Sequence, residues 1–155
     1  MKQLPLLVFC TFFLLTSCAS CGKDSIAPGT VNNSNTNSTG SKMKIKIGNQ
    51  TFTATLYDNA TANAFKSMLA MTVNMVELNG NEKYFDLSRS LPANASNPGT
   101  IKGGDLMLFG SNTLVLFYKT FSTSYNYTRL GRIDNVTGLA DAVGSGNVTV
   151  TFELE

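Results

Sequence analysis

From Met43 onward the chain alternates apolar and polar residues with a period of two, and that pattern limits it to strands with one buried face. Met43, Ile45 and Ile47 fall on one side of such a strand, with Lys44 and Lys46 on the other. Gly48-Asn49-Gln50 turns the chain, and Phe52, Ala54 and Leu56 repeat the pattern among threonines, giving a hairpin. At the far end Val148, Val150, Phe152 and Leu154 alternate in the same way. Between these ends, strands are predicted over 73–78 and 82–87 around Asn79-Gly80, a pair that tolerates positive φ and marks a tight hairpin. Residues 105–109 and 113–118 are apolar almost without interruption, which implies strands buried on both faces. A further strand is expected over Tyr125–Asp134.

Two helices interrupt the strands. Asp58-Asn59 supplies side-chain oxygens for first-turn amides, and Ala62, Phe65 and Leu69 form one apolar stripe. That helix is expected to run to about Leu69, with Phe65 as ordinary core. A second, shorter helix is expected over Thr137–Val143, capped by Thr137 and stopped by Gly144. Ser88–Lys102, with Pro92, Pro98 and Gly99, and Lys119–Ser124 are expected to be loops. The expectation is therefore a mainly β domain over 43–155, with eight strands closed into a barrel so that no edge stays open.

Residues 1–42 have a different character. Lys2 precedes an apolar run from Leu4 to Leu15, too short for a membrane span of about 20 residues but suited to a secretory signal. Leu15-Thr16-Ser17-Cys18 resembles the lipobox of bacterial lipoproteins, in which the cysteine is lipidated; Cys21 fits worse because Cys18 stands three places before it. Residues 1–17 are thus expected as a lipoprotein signal peptide and Cys18 as the lipidation site. Residues 18–42, rich in Asn, Ser, Thr and Gly, are expected as a disordered tether. Such a tether reaches roughly 25–30 Å by square-root scaling. Ala19 is not the aspartate associated with inner-membrane retention, so the expected location is the outer membrane, lipid-anchored, with the membrane as partner.

Composition excludes several chemistries. The chain has no His and no Trp, and beyond the leader and anchor only Cys21 carries a thiol, so neither a His-based triad nor a Cys/His zinc site is available. No dinucleotide or phosphate-loop glycine pattern is present, and no cofactor or metal is expected. The formal net charge is +2 without a basic run, which gives no footprint for nucleic acid. Among the acids, Asp58 reads as a cap, Asp105 as the residue opening a strand, and Glu82 as the cross-strand partner of a lysine.

The candidate binding surface lies in residues 103–134. Tyr125, Tyr127 and Arg129 at i, i+2 and i+4 would share a strand face, where a guanidinium stacks on phenol rings and offers donors to a carboxylate or carbonyl. Phe117 and Phe121 lie close in sequence, and Tyr57 is the remaining aromatic of the set. The expected cleft therefore comprises Tyr57, Phe117, Phe121, Tyr125, Tyr127 and Arg129, recognising a peptide or small ligand.

Tyr57-Asp58-Asn59-Ala60-Thr61-Ala62 with Phe65, then Glu82-Lys83-Tyr84-Phe85, Leu91-Pro92 and Gly104-Asp105-Leu106 stand in order along the chain. They are followed by Phe117-Tyr118-Lys119 with Phe121, and by Tyr127-Thr128-Arg129-Leu130-Gly131. Together these segments resemble the bacterial cyclophilin-like domain family in its lipoprotein form. The resemblance implies a cyclophilin-like barrel. It does not bring the isomerase signature, since the Phe-His-Arg and Phe-Met-x-Gln segments and the distal Trp or His are absent. The expected role is a non-enzymatic ligand- or peptide-binding module. A divergent peptidyl-prolyl isomerase with Arg129 as donor is the alternative.

Overall fold

The opening hairpin sets the register for the whole sheet. In the computed structural model, which describes residues 40–155, β1 (Lys42–Ile47) pairs antiparallel with β2 (Gln50–Leu56), placing Met43 opposite Ala54 and Ile45 opposite Phe52. These four are buried, while Lys44 and Lys46 stand outside opposite Thr53 and Thr51. A slip of one residue would turn both lysines inward, so the alternation itself fixes the pairing.

Helix α1 (Ala60–Lys66) follows, capped by Asn59, whose Oδ1 accepts from the Ala62 amide at 2.8 Å. It is shorter than expected. After Ser67 the bonds tighten to Met68 N–H donating to Phe65 O at 2.9 Å, and Leu69 reaches the core only partly buried. Ala62 and Phe65 are buried, and the Phe65 ring meets Phe152 edge-on at 5.8 Å. Each fully buried apolar side chain of this kind contributes roughly 1.5–3 kcal/mol.

Next come β3 (Met71–Leu78) and β4 (Glu82–Asp86), joined by Asn79 at φ 57° and Gly80 at φ 68°, the left-handed pair a tight hairpin requires. They are followed by β5 (Thr100–Ile101), β6 (Asp105–Phe109), β7 (Thr113–Phe117), β8 (Phe121–Ser122) and β9 (Thr128–Ile133). Helix α2 (Leu139–Val143) and β10 (Val148–Leu154) complete the domain. Helix α2 starts later than expected and Thr137 does not cap it. Gly138 at φ 80° takes the cap position without a side-chain bond, while the Thr137 amide donates to Asn135 Oδ1 at 3.0 Å.

Eight strands close in the order β1-β10-β3-β4-β7-β6-β9-β2, all neighbours antiparallel, as a barrel. The fold is thus mainly β, with a closed eight-stranded antiparallel barrel and two short helices. Its interior is filled by side chains from every barrel strand, among them Ile45, Ala54, Met75, Leu106, Leu116, Leu130 and Phe152. Gly131 on β9 lets β2 approach closely: a Cβ there would lie 2.6 Å from the Thr55 carbonyl oxygen.

Two segments expected as loops hold the remaining strands. Thr100–Ile101 and Phe121–Ser122 pair as a small ribbon, with Ile101 opposite Phe121. Ile101, Met107, Val115, Phe117 and Tyr127 form a second buried cluster, with Tyr84 and Phe121 packed against it. On β6 and β7, Leu106, Leu108, Leu114 and Leu116 belong to the interior, so Met107, Val115 and Phe117 face outward into this second cluster. The unbroken apolarity of these strands arises from burial on both faces. The leader, Cys18 and almost all of the expected tether lie outside the described residues.

Candidate functional site

Alternation along β4, β6 and β7 builds the site on the outer face of the barrel. Glu82, Tyr84 and Asp86 alternate with the inward Lys83 and Phe85; Thr113 and Val115 lie opposite Asp86 and Tyr84 in register. Phe109 at the end of β6 and the chain before β9 wall the other side. The result is an open groove of about 400 Å³ whose lining includes Leu78, Glu82, Tyr84, Phe109, Tyr125 and Tyr127.

One wall is a continuous row of rings. Tyr125 meets Phe109 edge-on at 6.1 Å, Phe109 lies 5.6 Å from Tyr127, Tyr127 meets Phe117 edge-on at 5.4 Å, and Phe117 lies 5.8 Å from Phe121. Such geometries add about 0.5–1.5 kcal/mol per pair beyond burial. The row grades from core to solvent: Phe117 is fully buried, Tyr127 nearly so, Phe109 is 44% exposed and Tyr125 64% exposed.

Four of the expected cleft residues, Phe117, Phe121, Tyr125 and Tyr127, are therefore brought together in the ring row, and of these Tyr125 and Tyr127 line the groove. Tyr57 and Arg129 are not part of the row. Tyr57 follows β2, its amide bonded to the Leu130 carbonyl, and it does not line the groove. Arg129 lines a separate depression of about 310 Å³ with Asn59, Pro92, Asn94 and Thr128. The expected shared face fails at the start of the strand: β9 begins only at Thr128, so Tyr125 precedes it and Tyr127 pairs instead with Ser96 through reciprocal 3.0 Å backbone bonds. A bulge opposite Leu106 and Met107 shifts the register of β9 only beyond Arg129. Phe121, expected as an exposed loop aromatic, is half-buried in the short ribbon.

Sequence reasoning missed Phe109, Tyr84 and Glu82 as lining residues. Glu82 does not pair with a lysine: across the hairpin it faces Leu78, and Lys83 faces Glu77. Glu82 is 8% exposed, and neither a hydrogen bond nor an ion pair reaches its carboxylate among the described residues. Burial first, and the nearby Glu77 second, raise its carboxyl above the ordinary range. The signal that would have found it is the alternation of Glu82, Tyr84 and Asp86 beside a strand apolar on both faces.

On the inner side of β4, Lys83 is wholly buried. Its ammonium donates to Glu77 Oε2 and to the carbonyls of Gly144 at 2.8 Å and Gly146 at 2.6 Å. The Tyr118 hydroxyl donates to Glu77 at 3.0 Å; burial first and this carboxylate second push the phenol up to about 12. Burial alone would raise Glu77, but bonds from Lys83, Tyr118 and the Gly80 amide outweigh it and hold the carboxyl low. This cluster ties the β3–β4 hairpin to the segment after α2, and its donors and acceptors satisfy one another.

The described domain is similar to the solution structure of the hypothetical protein AF2241 from Archaeoglobus fulgidus, with a TM-score of 0.53 and 16% identity. The match covers 76% of this chain and 96% of that one; at such identity the likeness is one of fold. No curated protein matches the chain. The model of the Cyclophilin-like family matches residues 45–153, from β1 to β10. By that match, which spans the barrel, the chain belongs to the cyclophilin-like family.

Proposed function

We propose that this protein is a lipid-anchored envelope module whose cyclophilin-like barrel binds a ligand at the outer-face groove without transforming it. The observation that carries the reading is the ring row Tyr125–Phe109–Tyr127–Phe117, with buried rings holding two exposed ones beside an open concavity. Rings fixed in this way lose little freedom on binding and offer apolar faces with polar edges. The anchor is supported by the sequence alone: Leu15-Thr16-Ser17-Cys18 followed by a polar tether. Outer-membrane residence rests on Ala19 following the cysteine.

The test is a ligand screen of the full chain by chemical-shift change, using proline-containing peptides and small metabolites. Shifts confined to Phe109, Tyr125, Tyr127 and their neighbours are expected. A screen in which those resonances stay still for every compound refutes the reading. For the anchor, metabolic labelling with a radioactive fatty acid should mark the parent chain and be lost in Cys18→Ala. The isomerase reading has less support, because Arg129 lines a different depression from the rings. A protease-coupled proline-peptide assay with Arg129→Ala decides it: activity lost with the arginine would put isomerisation first.

A further inference from the structure

The groove has a sign. Of its lining side chains Glu82 and Asp86 are acidic, none is basic, and the remainder are aromatic, aliphatic or neutral polar. Asp86 is already engaged, since Thr113 Oγ1 donates to its Oδ1 at 2.6 Å. Glu82 is different. It is 8% exposed, lines the groove, and has no partner among the described residues. Its side chain is largely covered, but its carboxylate oxygens reach the groove, so the donors they lack within the described residues come only from what fills the groove. Lys83 next in sequence gives no relief, because alternation sends its ammonium to the opposite face, where Glu77 and two carbonyls hold it.

The surroundings of Glu82 select the missing partner. The faces of Tyr84, Phe109, Tyr125 and Tyr127 carry negative electrostatic potential, so they favour a cation over an anion or a neutral polar group. At about 400 Å³ the groove has the dimensions of a small-molecule site. We propose that the groove takes a small organic cation, an amine on an apolar body, with Glu82 as counter-ion and Phe109, Tyr125 and Tyr127 as walls. This rests on the groove being the binding site, and it adds the chemical class of the occupant. Burial also raises the Glu82 carboxyl, in keeping with a site that gains by acquiring a positive charge.

Three probes on one phenylethyl body separate charge from shape: 2-phenylethylamine, its isostere 2-phenylethanol, and 3-phenylpropanoate, titrated calorimetrically into the full chain at neutral pH. The amine should bind at least ten-fold more tightly than the alcohol, and the carboxylate more weakly than either. Glu82→Gln should remove most of the amine's advantage over the alcohol, with a thermal midpoint no lower than the parent's to show that the fold is kept. Phe109→Ala should weaken both amine and alcohol, the amine by the larger factor because it also loses a ring face. Equal binding of amine and alcohol, or the full preference surviving in Glu82→Gln, overturns the assignment of Glu82 while leaving the groove as a binding site. Tighter binding of a blocked lysine-containing pentapeptide than of the amine overturns the small-molecule occupant. Failure of all probes to bind overturns both the inference and the reading beneath it.

Discussion

Replacing Lys83 by methionine keeps nearly the same volume and removes only the ammonium. The parent side chain is wholly buried and donates to Glu77 and to the carbonyls of Gly144 and Gly146. Without it, two carbonyls lose a donor and a carboxylate loses its counter-charge. Breaking a buried pair by removing one partner costs about 3–5 kcal/mol. Glu77 is 19% exposed and keeps its bonds from Tyr118 and the Gly80 amide, so the cost falls around the lower end of that range. The expectation is about 2–4 kcal/mol, a large share of the ~5–15 kcal/mol a domain usually has. At roughly 4 °C per kcal/mol for this size, the melting point should fall by about 8–16 °C.

The assay is urea denaturation of parent, Lys83→Met, Glu77→Gln and the double variant, closed as a thermodynamic cycle. A coupling of at least about 1.5 kcal/mol is expected for residues in direct contact. Because Glu77 is held below the ordinary carboxylate range, its contribution is present above the unfolded value and fades as pH falls through the folded one. Lys83→Met should flatten that acid limb. A stability change under about 0.5 kcal/mol, or an unchanged acid limb, refutes the account of the cluster.

Glu82→Gln should stabilise the ligand-free protein at neutral pH by less than about 1 kcal/mol, because it removes a largely covered charge whose oxygens meet only solvent in the groove. The raised carboxyl gives the opposite pH sign from Glu77: parent stability should decline as pH rises from the ordinary carboxylate range through the folded value, and the variant should lose that decline. Gly131→Ala should cost about 2 kcal/mol or more, since the added methyl would lie 2.6 Å from the Thr55 carbonyl oxygen, and thermal denaturation reads it. Asn59→Ala should cost about 1 kcal/mol by removing the α1 cap, together with the bond from its Nδ2 to the Arg129 carbonyl. An unchanged denaturation midpoint in either variant would show that the contact carries no weight.

The barrel was legible because its determinants are local. The Lys44/Ile45 alternation, the Asn79-Gly80 turn and the doubly apolar runs at 105–109 and 113–117 each dictate a strand and its neighbour. The candidate site was legible only in part, because it depends on pairings between distant segments. Nothing in Lys119–Ser124 by itself indicates that Phe121 meets Ile101, and nothing before Thr128 indicates that Tyr127 bonds to Ser96 rather than extending β9. Those two pairings draw the rings together and leave Arg129 aside. Glu82 was expected to meet a lysine across its strand, but the registers on its two sides set Leu78 and Phe117 opposite it.

The seam of the sheet lies between β1 and β10, where Met43 meets Leu154 and Ile47 meets Val150. The earliest strand of the fold therefore waits for the latest one, and assembly must carry a long unclosed ribbon until residues 148–154 arrive. A chain cut before that point would present the bare backbones of both β1 and β3, two templates for pairing with other molecules. Such fragments should coalesce rather than circulate, which makes integrity of the seven-residue closing strand a condition for solubility as much as for shape.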